Sequence, residues 1–219
     1  MLRTSTTAAV FAALVIHASG QDAGWTDLSN GRDLDGWFVK PDRPAVWRVI
    51  PDRDGPPAIG RQPEASYLWT RDTYGDFVLE LEFKVSPGCN SGIFFRSNPD
   101  DPVQKGFEIQ VFDSHGAEPD KHNTGALYDA KAADSMPEKP AGQWNRFRLE
   151  ARGSKLVVHI NGTKVQDLDL DAWDTPNKNP DGSPNKFGTA LKALPRTGHV
   201  GFQDHGHDVW FRNVRIRRM

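Results

Sequence analysis

The sequence predicts an all-β protein, a sandwich of two antiparallel sheets. Three observations carry that expectation. Residues 77–84 alternate Phe77, Leu79, Leu81 and Phe83 with Val78, Glu80, Glu82 and Lys84, the period-two pattern of a strand with one face in a core and one in water. Gly, Pro, Asn and Asp recur every several residues, so the apolar runs between them are short. One segment alone, NKFGTALKALP, has helical spacing, at Phe187, Leu191 and Leu194, enough for one short helix of one to two turns in a late loop.

In chain order, MLRTSTTAAVFAALVIHASG places Arg3 ahead of an apolar run from Ala8 to Ile16 and then small residues at Ala18 and Gly20. That is the order of a secretory signal, and the run is too short to anchor the chain across a bilayer. Residues 1–20 are therefore expected to be a signal peptide and 21–219 a single domain, secreted or periplasmic. Cys89 is the only cysteine, which excludes an internal disulfide and suggests a buried small hydrophobe.

GWTDLSNGRDLDGWFVK follows, with Trp25, Leu28, Leu34 and Trp37 set to pack on a sheet edge. AVWRVI and SYLWT read as strands on either side of a broken, Pro-rich turn region within 41–64. After the strand at 77–84 come NSGIFFR and GFEIQVFD, two strands joined by a polar Asp/Pro turn. A long loop runs from His115 to Pro140, with TGALYDA as a short strand or turn inside it, and loops of that length in a compact domain are usually functional. NRFRLEAR, KLVVHI and TKVQDLDL are three further strands, the last two joined by a type I′ hairpin at Asn161 and Gly162. The sequon formed with Thr163 is read as turn chemistry. Residues 171–197 break the strand rhythm, and HVGFQDHG and VWFRNVRIRRM close the chain as strands.

With 27 basic and 29 acidic residues the formal charge is -2, which gives no overall attraction for nucleic acid or an anionic membrane. The polar face of the two central strands is the informative one. In GFEIQVFD, Phe107, Ile109 and Val111 share one face and leave Glu108 and Gln110 on the other, with Asp113 and His115 at the strand end. In NSGIFFR the same alternation puts Phe94 and Arg96 together, opposite Ile93 and Phe95, and Asn90 with Ser91 opens the strand. In VGFQDH it puts Gln203 with His205, opposite Phe202 and Asp204. A His-x-His pair at His205 and His207, flanked by Asp204 and Asp208, could ligate a divalent metal; the commoner alternative is a polar turn, and no metal ligand is assigned.

LSNGRDLDGW, NSGIFFR, GFEIQVFD, TGALYD, the PAGQWNRFRL and HINGTKV block, and GHVGFQDHGHDVWFRNVRIR together resemble the 3-keto-disaccharide hydrolase domain family over nearly the whole mature chain. The resemblance implies a jelly-roll of the concanavalin A-like lectin/glucanase fold and carbohydrate substrates oxidised to a ketone at C3. A C3 ketone makes C2–H acidic and places the C1 substituent β to the carbonyl, so elimination across C1 and C2 breaks the glycosidic bond and water can add back. Such chemistry needs a base at C2, a cation or donor for the enolate oxygen, and an acid or metal for the leaving oxygen.

On that footing Glu108 is the candidate base or metal ligand, Arg96 the enolate or hydroxyl binder, and His205 a general acid or base. Each has a plainer alternative: a solvated carboxylate, a structural charge partner, a turn imidazole. Gln110, Asn90, Asp113, His115, Tyr128, Gln203 and Lys186 are candidate sugar contacts, Tyr128 by stacking and Lys186, with Lys192, as a cation over the cleft. A non-catalytic, lectin-like glycan-binding module is the competing reading, and the sequence does not give an oligomeric state.

Overall fold

The computed structural model describes residues 24–40, 47–53, 55–61 and 66–219. The expected signal peptide and parts of the Pro-rich stretch lie outside the described residues. Among those described, no helix is long and apolar enough to cross a membrane.

The chain forms two antiparallel sheets. In chain order the strands are β1 (Thr26–Asp27), β2 (Trp37–Lys40), β3 (Trp47–Ile50), β4 (Ala58–Arg61), β5 (Tyr67–Tyr74), β6 (Phe77–Val85), β7 (Asn90–Ser97), β8 (Phe107–Phe112), β9 (Asn145–Arg152), β10 (Lys155–Ile160), β11 (Thr163–Asp169), β12 (Gly198–Phe202) and β13 (Val209–Arg218). The eight-stranded sheet runs β11-β10-β9-β6-β13-β4-β3, with β1 also on β13, and the five-stranded sheet runs β2-β5-β12-β7-β8. Consecutive strands are repeatedly split between the sheets, as a sandwich requires.

The alternation read from the sequence decides which face is inside. On β6 and β9, Leu79, Leu81, Phe83, Phe147 and Leu149 are buried while Glu80, Glu82, Arg146 and Arg148 face out. On β8 the buried core face is Phe107, Ile109 and Val111. The two sheets meet where Phe202 of β12 stacks on Phe211 of β13, ring centroids 3.8 Å apart, with Trp37 against Phe202 at 5.1 Å. Cys89 is fully buried.

Asn161 and Gly162 both take positive φ, 52° and 84°, as the type I′ hairpin between β10 and β11 demands. The late segment differs from expectation: in place of a helix of one to two turns, NKFGTALKALP contributes a single 3-10 turn, Leu191–Ala193, and another, Leu170–Ala172, follows β11. Gly188 and Pro195 bracket the stretch, and three apolar positions are too few to hold a longer helix on the sandwich.

Candidate active site

The outer face of the five-stranded sheet carries an unusual row. Strand register aligns Trp69 of β5, Gly201 of β12, Phe94 of β7 and Glu108 of β8 side by side. Gly92 and Gln110 form the next row, and Gln203 joins it by donating its main-chain N–H to Gly92 O at 2.9 Å. Two glycines make this face possible. A Cβ on Gly92 would overlap Glu108 Oε1, and one on Gly201 would overlap the Trp69 ring, so each glycine leaves its strand open for a neighbour's side chain to lie across. Trp69 stacks on Phe94 at 5.2 Å, with Tyr67 at 5.5 Å from Phe94.

Seven buried side-chain polar atoms have no hydrogen-bond partner among the described residues, and four of them sit on this face: Trp69 Nε1, Glu108 Oε1, Gln110 Oε1 and Gln203 Oε1. Leaving a buried polar atom unpaired costs about 1–3 kcal/mol, so a cluster of them singles out this face as the candidate site. The Gln110 amide is pre-set: its Nε2 donates to Asn90 Oδ1 at 3.0 Å, which leaves its carbonyl oxygen as the unpartnered function.

The walls come from loops. Residues 124–128 cover the free edge of β8, with Gly125 N–H donating to Gln110 O at 2.9 Å and Tyr128 N–H to Glu108 O at 3.0 Å. The TGALYDA segment thus makes an isolated bridge, Leu127 opposite Ile109, that brings Tyr128 beside Glu108. Lys186 reaches in from the segment before the Leu191–Ala193 turn, its Nζ 3.6 Å from the centre of the Tyr128 ring.

Burial pushes the Glu108 carboxyl up to about 8, with the Lys186 ammonium pulling the other way. Burial lowers Lys186, against the fields of Glu108 and Asp129. Tyr128 and Tyr67 are both raised, first by burial and then by the Glu108 charge, so their phenols stay protonated. The site is therefore a desolvated carboxyl facing a cation and two phenols.

Of the residues singled out in the sequence, Glu108, Gln110, Asn90, Gln203, Tyr128 and Lys186 come together here. Arg96 does not. β7 has a bulge: His199 pairs Ser97 while Gly201 pairs Phe94, so three steps on β7 match two on β12, and Arg96 takes φ 48°. The extra residue turns its guanidinium away from Phe94 and Glu108 toward the carbonyls of Gly75 and Gly153 and the Asp76 carboxylate.

His205 is also displaced from expectation. β12 ends at Phe202, so the alternation stops short of it; Asp204 is buried, accepting from Gly206 N–H at 2.9 Å, while His205 faces solvent. Asp113 caps a turn through Gly88 N–H at 2.9 Å, and His115 holds its Nδ1 2.7 Å from Glu138 O. No group of three or more His, Cys, Asp or Glu side chains is placed to hold a metal among the described residues. A groove of about 650 Å³ on the outer face of the other sheet is lined by Glu80, Glu82, Arg146, Arg148 and Arg215, but its charges neutralise one another across the strands, Arg215 to Glu80 at 2.8 Å among them.

Tyr67, Trp69 and Phe94 are site residues that strand alternation does not reveal, because aromatic side chains in a strand look like core. The interior glycines of NSGIFF and HVGFQ are the signal that points to them.

Residues 24–217 match the model of the 3-keto-alpha-glucoside-1,2-lyase-like domain. The chain belongs to that family. It is 26% identical over 226 residues to the 3-keto-disaccharide hydrolase of Bacteroides thetaiotaomicron, covering 89% of this chain and 78% of that protein. A Parabacteroides distasonis structure provisionally described as a glycosyl hydrolase superposes with a TM-score of 0.78 at 32% identity, over 89% of this chain and 99% of that one. A second from the same organism shares the fold at TM-score 0.74 and 21% identity, over 94% and 98%. The family is of the glycosyl hydrolase type, and the orphaned polar face lies within the matched residues.

Gly92→Ala tests the packing of this face. The methyl group would overlap Glu108 from Cγ to Oε1, so the buried side chain must swing away as a whole; activity should fall about tenfold or more while the protein still folds with a lowered Tm. Thermal melts beside steady-state rates decide it, and an active, unshifted variant would show that Glu108 works from another position.

Proposed function

We infer that the chain is an exported enzyme that cleaves 3-keto-glycosides, Glu108 taking the C2 proton. The observation that carries this is the Glu108 carboxyl, buried and raised to about 8, with Oε1 unpaired among the described residues, on a face whose other orphaned atoms are sugar-compatible acceptors and a donor. A carboxylate so raised is a stronger base than an ordinary one and suits a carbon acid near neutral pH.

In this reading the C2–H electrons move to the C3 oxygen as Glu108 takes the proton. They return to form the C1=C2 bond as the C1 oxygen leaves with a proton, giving an enone and a free alcohol. Water adding across C1=C2 completes a net hydrolysis. The protonated phenols of Tyr67 and Tyr128 are the available proton donors for the departing oxygen. Gln110 and Gln203 accept from ring hydroxyls, with Asn90 setting the orientation of Gln110.

A lectin of the usual kind offers an open aromatic ring for stacking; Trp69 and Phe94 are both 0% exposed, Tyr67 and Tyr128 are half-buried, and Lys186 already covers the Tyr128 face, which weighs against that alternative. The test is release of a chromogenic aglycone from a 3-keto-glucoside, compared with the unoxidised glucoside. Release from the keto compound alone, with deuterium at C2 of the hydrated product in D₂O, is the expected result. Equal release from both compounds would sink the elimination route.

A further inference from the structure

Lys186 lies in a stretch without regular structure, yet its main chain is held on both sides by side chains from two other loops. Its N–H donates to Asp129 Oδ2 at 2.7 Å. Its carbonyl accepts from Gln104 Nε2 at 2.9 Å, and the same amide's Oε1 accepts from Gly188 N–H at 3.0 Å. Asp129 is held in the left-handed region, φ 57°, unfavourable for a residue with a Cβ, and also meets Lys121 at 3.4 Å and His122 at 3.3 Å. A lysine serving only solubility needs no such fixture.

The side chain, though exposed, also has a fixed neighbour. The ammonium rests on the face of Tyr128, the residue next to Asp129, in cation–π geometry. It is the cation whose field reaches Glu108, yet the two do not close into an ion pair among the described residues. The ammonium is thus left uncommitted to Glu108 and exposed on the Tyr128 side of the site, where a ligand oxygen can meet it. Arg96, the cation the strand pattern offered, is committed to Gly75, Asp76 and Gly153.

We propose that Lys186 is the catalytic cation that receives the C3 oxygen as it becomes an enolate, and that Gln104 and Asp129 are positioning residues that fix it. The inference rests on the elimination reading. Removing a proton from C2 moves a full negative charge onto O3, and a pre-placed ammonium stabilises that charge without reorganisation at the moment of reaction. Gln104 does not touch substrate in this scheme; it acts through Lys186.

The test uses the full chain with Lys186→Met, Lys186→Arg and Gln104→Leu, alongside Glu108→Gln. Two rates are read: aglycone release from a chromogenic 3-keto-glucoside, and deuterium exchange at C2 of a 3-keto sugar that has no leaving group at C1, which isolates enolate formation. Lys186→Met should lower kcat and the exchange rate together, about 10²–10³-fold, with KM within about threefold. Lys186→Arg, which keeps a cation, should retain more of both.

Removing the ammonium also removes the field that lowers Glu108, so the rising limb of the rate against pH should move to higher pH in Lys186→Met. Gln104→Leu should move it the same way by less, which a merely structural role would not do. Wild-type activity that is lost in Glu108→Gln but unchanged in Lys186→Met would overturn the assignment of Lys186 and leave the elimination reading standing. A wild-type protein that neither exchanges C2–H nor releases an aglycone would remove both.

Discussion

Glu108→Gln should lower kcat/KM toward a 3-keto-glycoside by about 10²–10⁴-fold, the usual weight of a positioned general base, and should at the same time make the protein more stable at alkaline pH. The two effects share one cause. Burial raises the Glu108 carboxyl from 4.5 to about 8 in the folded chain, so between those values the unfolded chain has released a proton that the folded chain still holds. Wild-type stability therefore falls as pH rises through that window and stays lowered beyond it, by on the order of 3–5 kcal/mol. Glutamine has no proton to lose.

The melting curves of the two proteins should coincide near pH 4.5 and diverge upward in favour of the variant, by about 10 °C above pH 8. A gap that is constant with pH would mean that the carboxyl is not desolvated as the structure has it. A site that destabilises its own fold in the ionised form is what stored reactivity costs.

Much of this arrangement was legible before any coordinate. Alternation on β8 assigned Phe107, Ile109 and Val111 to the core and Glu108 with Gln110 to the other side, because a strand running straight through a sandwich has no other way to dispose of them. The hairpin at Asn161 and Gly162 was legible for a similarly local reason. What alternation could not carry was a change of register. The bulge on β7 depends on how β12 pairs with it from 100 residues away in sequence, and that single extra residue reverses Arg96.

The end of β12 had the same effect on His205, since the period-two rule has no force once the pairing stops. Loop contacts were out of reach for a different reason. The meeting of Gln104, Asp129 and Lys186 joins three irregular segments through side chains that each carry ordinary surface chemistry, and nothing in composition distinguishes them from solvated residues. Trp69 and Phe94 were hidden by their own hydrophobicity. They pack on each other and on Tyr67 on the outside of a sheet, and a sequence shows that a residue is apolar without showing on which side of the sheet it is buried.

Arg96→Met should be the most destabilising single change in this part of the sheet, and it should do so without disabling the chemistry. The guanidinium is 1% exposed and spends its donors on three groups: Nε on Gly75 O at 2.8 Å, Nη1 on Gly153 O at 2.6 Å and Nη2 on Asp76 Oδ1 at 3.0 Å. Gly75 and Asp76 join β5 in one sheet to β6 in the other, and Gly153 turns β9 into β10, so the one side chain ties the two sheets at an end of the sandwich. Burial lowers its pKa to about 10, opposed by Asp76, which leaves it charged at neutral pH.

Removing the guanidinium leaves the Gly75 and Gly153 carbonyls without their donor, while Asp76 keeps the Gly153 N–H at 2.8 Å, and costs about 3–5 kcal/mol, or roughly 10 °C in Tm. Lysine should recover only part of this, because one ammonium cannot span the three acceptors that the planar fork reaches. Measured at a temperature where the variant is still folded, kcat per folded molecule should stay within about threefold of wild type, since Arg96 points away from Glu108. A variant that melts normally but no longer turns over would return Arg96 to the site and require β7 to run without its bulge.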